Sequence, residues 1–502
     1  MATTDPEHVT SAKKSWVWIP RFRFYTVLVL TGLAMVAPIA NFLKEGLKGD
    51  FWWVYMSGRW MAVHHRILEA NPAAWNGPTL AGKTWVNLEW AWQLFIYAVN
   101  PPLHPLGYIV LLFIFELLML AAFLWTLKVM APRLTAEARI GLYALYAIMA
   151  FPYTVKLRAE LFSYVAFPVL LGILWRARDD RRWLWMLAPL TVIWANVHGS
   201  WLMIPALAAL EALGVALKRE WRHAGVVAAM GILVPLALAA CLTPFHLRTL
   251  TYAWWLDHNH YINTYIQEWQ SVNFHSATFM AFGAAVFAAW LWRGHIQVRY
   301  PALLDIWFIG ITLAFFDQVR MITYFGLVFA LWLGYGLSRR PRFEEWLPDD
   351  SGRRSLRWAQ AAGLAGGLAV AVVIAVRTEA RWTAPLVPPR LVSWLNHTPH
   401  QVVLAPIDDG GYLEAHGVRN VFADGRSDFF LAHGSRFQDY VGLIVQQSDR
   451  PSRVASIFAR NQVDAILWPR DQMNNTLAWF IAAHHWRRAV VSGAWAVYMA
   501  PR

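Results

Sequence analysis

The sequence predicts an α-helical polytopic membrane protein with about eleven transmembrane helices and a C-terminal extracytoplasmic α/β domain. Three observations carry this. First, 58% of the 502 residues are hydrophobic and only 15% are charged, where a soluble domain averages roughly 25% charged. Second, long apolar runs alternate with short basic clusters. Third, the composition changes after Arg377 to short strand-length apolar runs.

The apolar runs lie near 23–43, 104–128, 138–154, 159–175, 183–198, 201–217, 225–243, 276–292, 302–316, 320–338 and 357–376. Residues 1–22 form a polar tail, expected in the cytoplasm. The first run has no small-residue cleavage site after it, so it reads as a retained anchor. With the N-terminus inside, the basic clusters Arg176/Arg178/Arg181/Arg182, Lys218/Arg219/Arg222, Arg293/Arg299 and Arg339/Arg340/Arg342/Arg353/Arg354/Arg357 all fall on the inner side. That agreement with the positive-inside rule favours an odd number of spans. It also explains the formal net charge of +13 without a nucleic-acid partner. One cysteine, Cys241, excludes a disulfide framework and a cysteine metal site.

The expected organisation is a membrane domain over 23–377, with a large first external loop at 44–103, and an extracytoplasmic domain over 378–502. The first loop is broken by Pro72, Gly77, Pro78 and Gly82 and is rich in tryptophan, a residue of the membrane–water boundary. In the last domain, 402–405, 418–423 and 463–468 read as strands, and 489–491 with 495–499 as a closing hairpin. Helical patterns lie near 430–445, 451–461 and 474–485.

Polar residues at the ends of spans are costly and need a reason. Asp50 sits before Phe51-Trp52-Trp53 at the start of the loop. It reads either as a general base or cation ligand, or as an interfacial acid suited to a helix N-terminus. Asn196, His198 and Ser200 lie at a tight outer turn; they read as a phosphate or sugar site, or as helix caps. Arg158 and Arg320 are outer-side cations against the charge trend. They read as a lipid-phosphate site, or as local pairs with Glu160 and Asp317. The loop at 244–275 carries Asp257, His258 and His260, a weak divalent-cation set, and Glu268. Asp408-Asp409-Gly410-Gly411-Tyr412 and Asp424-Gly425-Arg426-Ser427-Asp428 each follow a predicted strand, where α/β domains place sites; their glycines equally suit turns.

Several of these pieces recur together in one family. They are Asp50-Phe-Trp-Trp with Gly58, Trp85-Val-Asn-Leu-Glu-Trp, Arg158-Ala-Glu-Leu-Phe-Ser-Tyr, Ala195-Asn-Val-His-Gly-Ser-Trp, Thr243-Pro-Phe, Ile266-Gln-Glu-Trp-Gln-Ser, Asp409-Gly-Gly-Tyr-Leu and Val421-Phe-Ala-Asp-Gly-Arg-Ser-Asp. In their order and spacing the chain resembles bacterial polytopic proteins of the cell envelope related to the GT-C superfamily of membrane glycosyltransferases. The resemblance implies a first external loop with membrane-parallel helices, near 51–68 and 88–99. It implies an acid at the loop's start and transfer of a sugar from a polyprenyl-phosphate donor outside the cytoplasmic membrane. Asp50 would be the catalytic acid-base residue. Trp53, Glu89, Arg158, Asn196, His198, Glu268, Arg320, Asp409, Asp424 and Arg426 would bind substrates. Relatives often carry His directly after the Trp-Trp pair, where this chain has Val54. The last domain resembles the external domains of larger members, oligosaccharyltransferases included.

Two readings from other classes stand beside this one. A transporter or flippase for lipid-linked glycans would place polar residues mid-span in broken helices. A non-catalytic envelope scaffold would leave the candidate residues scattered, whereas an enzyme would bring them to one cavity.

Overall fold

The computed structural model describes residues 18–103, 106–154, 156–295, 298, 300–339, 350–445 and 451–501. Most of the expected N-terminal tail, and Arg299, Arg340 and Arg342 of the inner basic clusters, lie outside them.

The chain is a polytopic helical membrane protein with a C-terminal α/β domain. Six helices among the described residues are long and apolar enough to span a bilayer: Phe24–Lys44, Leu106–Met130, Gly199–Leu217, Trp221–Leu242, Val319–Ser338 and Arg357–Trp382. The other expected runs form helices that are shorter or less apolar, including Ala136–Thr154, Glu160–Arg176, Leu187–Val197, Ala277–His295 and Ala302–Asp317. Leu33, Ile148, Leu233, Phe287 and Leu313 are exposed while Phe123, Phe167, Trp307 and Phe325 are fully buried. Apolar side chains thus point both outward and inward, as they do on helices surrounded by lipid. The long helix Asp350–Trp382 runs along the first, Trp18–Glu45.

The first loop folds into two helices, Asp50–His64 and Trp90–Leu103, joined by an irregular segment. Gly49, at φ 56°, makes the turn that starts the first helix, and His65, at φ 51°, ends it. Gly58 lies directly against the Gln93 carbonyl, so the two helices cross with no room for a side chain there.

The α/β domain holds one four-stranded sheet in the order β1 (Val402–Leu404), β2 (Val463–Pro469), β4 (Trp495–Met499), β3 (Arg487–Ser492). β1 pairs with β2 in parallel, and β4 pairs antiparallel with both β2 and β3. Residues 418–423, expected to be a strand, make only an isolated bridge from Val421 to Val403. The reason is competition for hydrogen bonds. The Asn420 and Val421 amides donate to Ala74 O and Trp75 O of the first loop, at 3.1 and 2.7 Å, leaving no continuous ladder. A second core of Val387, Leu391, Val403, Leu413, Val421, Leu467 and Val497 packs the sheet against helices Pro389–His397 and Ile407–Ala415.

A fully buried guanidinium joins the first loop to this domain. Arg426 donates to Asn71 Oδ1 (3.0 Å) and Asn76 Oδ1 (2.8 Å), and its Nε donates to Asp424 Oδ1 (2.9 Å). Asn76 also donates to Glu414 Oε1 at 2.7 Å, and Arg436 donates to Asn76 O at 2.6 Å. Trp75 and Trp85 flank the Arg426 guanidinium. A buried charge needs this density of partners. The first loop and the α/β domain therefore form one body over the end of the helical bundle.

Candidate active site

Between that body and the bundle lies a cavity of about 960 Å³. Asp50, Trp53, Glu89, Arg158, His198, Glu268 and Arg320 all line it, brought from segments far apart in sequence.

Arg158 is its centre. The turn before helix Glu160–Arg176 presents it to three carboxylates. Its Nε lies 3.1 Å from Asp50 Oδ2, and its two terminal nitrogens bond Glu268 at 2.9 and 3.0 Å. Nη2 is also 3.2 Å from Glu160 Oε1. Burial alone would lower its pKa, yet Glu160, Glu268 and Asp50 together hold it well above the ordinary value. Burial would likewise raise the Glu268 carboxyl, but Arg158, Arg320 and Lys156 hold it far below the usual range.

Asp50 opens its helix. Its Oδ1 accepts the Trp53 indole N–H at 2.9 Å. Gly425 packs directly on this pair: a Cβ there would fall 2.7 Å from both Asp50 Oδ1 and Trp53 Nε1. Arg320 lies 3.5 Å from Glu160 Oε1 and stacks 4.2 Å over the Trp269 ring.

His198 caps the turn between Leu187–Val197 and the following helix. Its Nδ1 meets Ser163 Oγ (2.9 Å) and Ser200 Oγ (2.6 Å). Its Nε2 faces Glu89 Oε1 and Glu160 Oε1, each at 3.8 Å. Burial pushes the imidazole down to about 4, with Glu160 opposing and Arg320 and Arg158 adding to the shift. Burial, and then the charge of Glu160, push the Glu89 carboxyl well above its ordinary value. Glu89, Glu160 and His198 are the described residues whose ligand atoms lie within 4.8 Å of one another, and this trio fits a cation. The Asp257/His258/His260 set does not: His258 is half-exposed and bonds Trp254 O, while His260 contacts Thr264.

Comparison with known proteins adds the fold. No family model matches the chain, and no curated protein matches it in sequence. Solved structures do match. One is the archaeal oligosaccharyltransferase AglB from Archaeoglobus fulgidus in complex with an inhibitory peptide and a dolichol-phosphate. It is 13% identical, with a TM-score of 0.56 over 90% of this chain and 70% of that one. The apo form of the Archaeoglobus fulgidus enzyme gives 0.55 over 88% and 69%, and its complex with Zn and sulfate 0.53 over 89% and 68%, both at 13% identity. The chain shares the fold of this oligosaccharyltransferase.

Four of the candidate residues are absent from the described lining of this cavity. Asn196 accepts the Trp90 indole N–H at 3.0 Å and donates to Val192 O and Leu242 O; it pins the second loop helix. Asp424 and Arg426 lie fully buried in the loop–domain network. Asp409 stands behind Asp408, which does line the cavity. Val54 is fully buried in the core and does not line the cavity either, so this position lies away from the candidate chemistry. Asp428, present in the sequence reading only as the end of the Asp424–Asp428 loop, lines the cavity and accepts from Tyr252 O–H (2.7 Å) and Trp85 N–H (2.9 Å). Its only signal was the Asp-Gly-Arg-Ser-Asp run. Glu160, the local partner of Arg158 in one of its two readings, pairs with it and also meets Arg320 and His198.

Proposed function

We propose that this protein is an integral-membrane glycosyltransferase of the GT-C type. It moves a sugar from a polyprenyl-phosphate-linked donor to an extracytoplasmic glycan, lipid or protein acceptor. Its setting would be a bacterial cytoplasmic membrane, with the N-terminus inside and the α/β domain outside. The convergence of Asp50, Arg158, His198, Glu268 and Arg320 on one cavity carries this reading. A scaffold has no need of such convergence. The complex of the similar AglB with a dolichol-phosphate supports the donor class.

The roles follow from the contacts. Arg158 is engaged by three carboxylates, so it positions acids rather than gripping the donor. Arg320 and the exposed Lys156, both at the cavity, are placed to meet the lipid phosphate. Asp50 carries two partners, Arg158 on Oδ2 and Trp53 on Oδ1. A carboxylate has about four acceptor sites, which leaves capacity for a proton. Asp50 takes the proton of the acceptor hydroxyl as its oxygen attacks the anomeric carbon. The bond from that carbon to the phosphate oxygen breaks, and the polyprenyl phosphate leaves with the electron pair, its charge met by Arg320 and Lys156. Attack opposite the leaving group inverts the anomeric centre. A divalent cation, when bound, would add Lewis-acid stabilisation of phosphate charge.

The test is lipid-linked sugar profiling in a deletion strain complemented with wild type or with Asp50→Asn. The reading expects one polyprenyl-phosphate sugar to accumulate in the deletion and in the variant, and to be consumed with wild type. An unchanged profile in the deletion would remove the donor assignment.

A further inference from the structure

We propose that the acceptor is a glycan, a neutral or amino sugar residue seated on the loop–domain wall of the cavity and read there by Asp428. The inference rests on the transferase reading and narrows its acceptor class. The walls of the cavity differ in charge. Among the described lining residues, those from the first loop and the α/β domain include four carboxylates, Asp50, Glu89, Asp408 and Asp428, and no lysine or arginine. The cations Lys156, Arg158 and Arg320 stand on the other side, with the bundle. The lipid phosphate is therefore drawn to the bundle wall. A second anion on the loop–domain wall would meet like charge, which costs several kcal/mol at close range. That wall disfavours an acceptor bearing phosphate or uronate and accepts a neutral or cationic one.

Asp428 is fixed in a way that suits it to reading hydroxyls. Both of its bonds, from Tyr252 O–H and Trp85 N–H, fall on Oδ2. Its Oδ1 makes no bond among the described residues, so a carboxylate oxygen at the cavity keeps its full acceptor capacity. Trp85 stands edge-on to Trp53, with centroids 6.0 Å apart, and Trp53 bonds Asp50 Oδ1. The proposed base and Asp428 thus share one indole wall. A ring that presents one hydroxyl to Asp50 can present another to Asp428. Ser427 adds a hydroxyl to this wall, and Phe437, Tyr440 and Val441 add an apolar side. A pyranose has the same division, with hydroxyls at its edge and C–H groups on its faces, and such pockets combine apolar walls with a few placed polar groups. An extended peptide finds less. None of the described lining residues belongs to β1–β4, so the cavity offers no sheet edge for main-chain pairing.

The experiment is saturation-transfer difference NMR on the full chain in lipid nanodiscs, free of sugar-based detergent. The probes are the methyl glycosides of glucose, mannose, galactose, glucosamine and glucuronic acid, with glycerol phosphate and a blocked peptide. Saturable binding is expected for at least one neutral or amino glycoside, and not for the glucuronide, glycerol phosphate or peptide. Asp428→Asn keeps an oxygen for Tyr252 and Trp85, so the wall stays intact. It is expected to weaken glycoside binding by about 10-fold or more, the loss of a hydrogen bond to a charged group. Asp408→Lys, at an exposed position, is expected to admit the glucuronide. His258→Gln, outside the described lining, is expected to leave binding unchanged. Size-exclusion profiles and melting that match wild type identify folded variants. Preferential binding of the peptide or of glycerol phosphate overturns the proposal. So does absence of glycoside binding, or glycoside binding that Asp428→Asn leaves unchanged. In each of these cases a lipid-linked sugar that accumulates in the deletion strain still supports transfer, so the acceptor class and the transferase reading fail separately.

Discussion

Arg158 holds Glu268 through two parallel hydrogen bonds, Nη1 to Oε2 at 2.9 Å and Nη2 to Oε1 at 3.0 Å. The same guanidinium reaches Asp50 through Nε at 3.1 Å. One side chain thus registers the 244–275 loop against the start of the first loop. Lysine has no planar fork and would keep only one of these contacts well made.

Arg158→Lys is therefore expected to lower kcat by about 10²-fold, the scale of a 1 Å misplacement of reacting groups. KM for the donor should move much less, because Arg320 and Lys156 meet the phosphate. Steady-state transfer at varied donor concentration separates the two. A loss confined to KM would reassign Arg158 to phosphate binding.

Gly425 presses on the Asp50–Trp53 pair, and a methyl group there would fall 2.7 Å from Asp50 Oδ1. Gly425→Ala is expected to displace Asp50 and cost activity by about 10-fold or more. The Arg426 network, which uses different atoms, should keep the protein folded. Activity and melting temperature measured on the same preparation check this. Full activity would mean that the Asp50 geometry tolerates the shift.

The architecture was readable from the sequence because its signals are local. Apolar runs, basic clusters and the shift after Arg377 each follow from nearby residues. The loop helices, expected at 51–68 and 88–99, appear at Asp50–His64 and Trp90–Leu103. The roles at the site were less legible because they depend on contacts between distant segments. Nothing near Asn196 announces that Trp90 will claim its carbonyl. Nothing near Arg426 announces Asn71 and Asn76, more than 300 residues earlier. Both residues look like ligand-binding groups in sequence and are spent on structure. Residues 418–423 have strand composition, but their amides are taken by the first loop.

Arg426 is fully buried among Asp424, Asn71 and Asn76. Replacing it by Met leaves Asp424 buried without its counter-charge. Such a loss costs about 3–5 kcal/mol. Arg426→Met is expected to lower the thermal midpoint markedly and to free the first loop for proteolysis between residues 65 and 89. Limited proteolysis with thermal melting reads both, and a wild-type midpoint would contradict the tie.

Asp409 has its carboxyl raised to about 7 by burial and by neighbouring Asp408, with Lys48 opposing. The folded state thus holds this proton more tightly than the unfolded chain does. Its contribution favours folding at low pH and is lost as pH rises from about 4 towards 7. Asp409→Asn removes that dependence. The melting difference between variant and wild type should therefore grow with pH across this window and level off above it. A difference that is flat from pH 4 to 8 would contradict the assignment.

The central claim is that Asp50 takes the acceptor proton in sugar transfer. The direct measurement is single-turnover transfer from a polyprenyl-phosphate sugar by wild type and Asp50→Asn in reconstituted vesicles, at matched expression and folding. In the variant the donor is expected still to bind and transfer to be lost. Transfer at the wild-type rate by Asp50→Asn would contradict it.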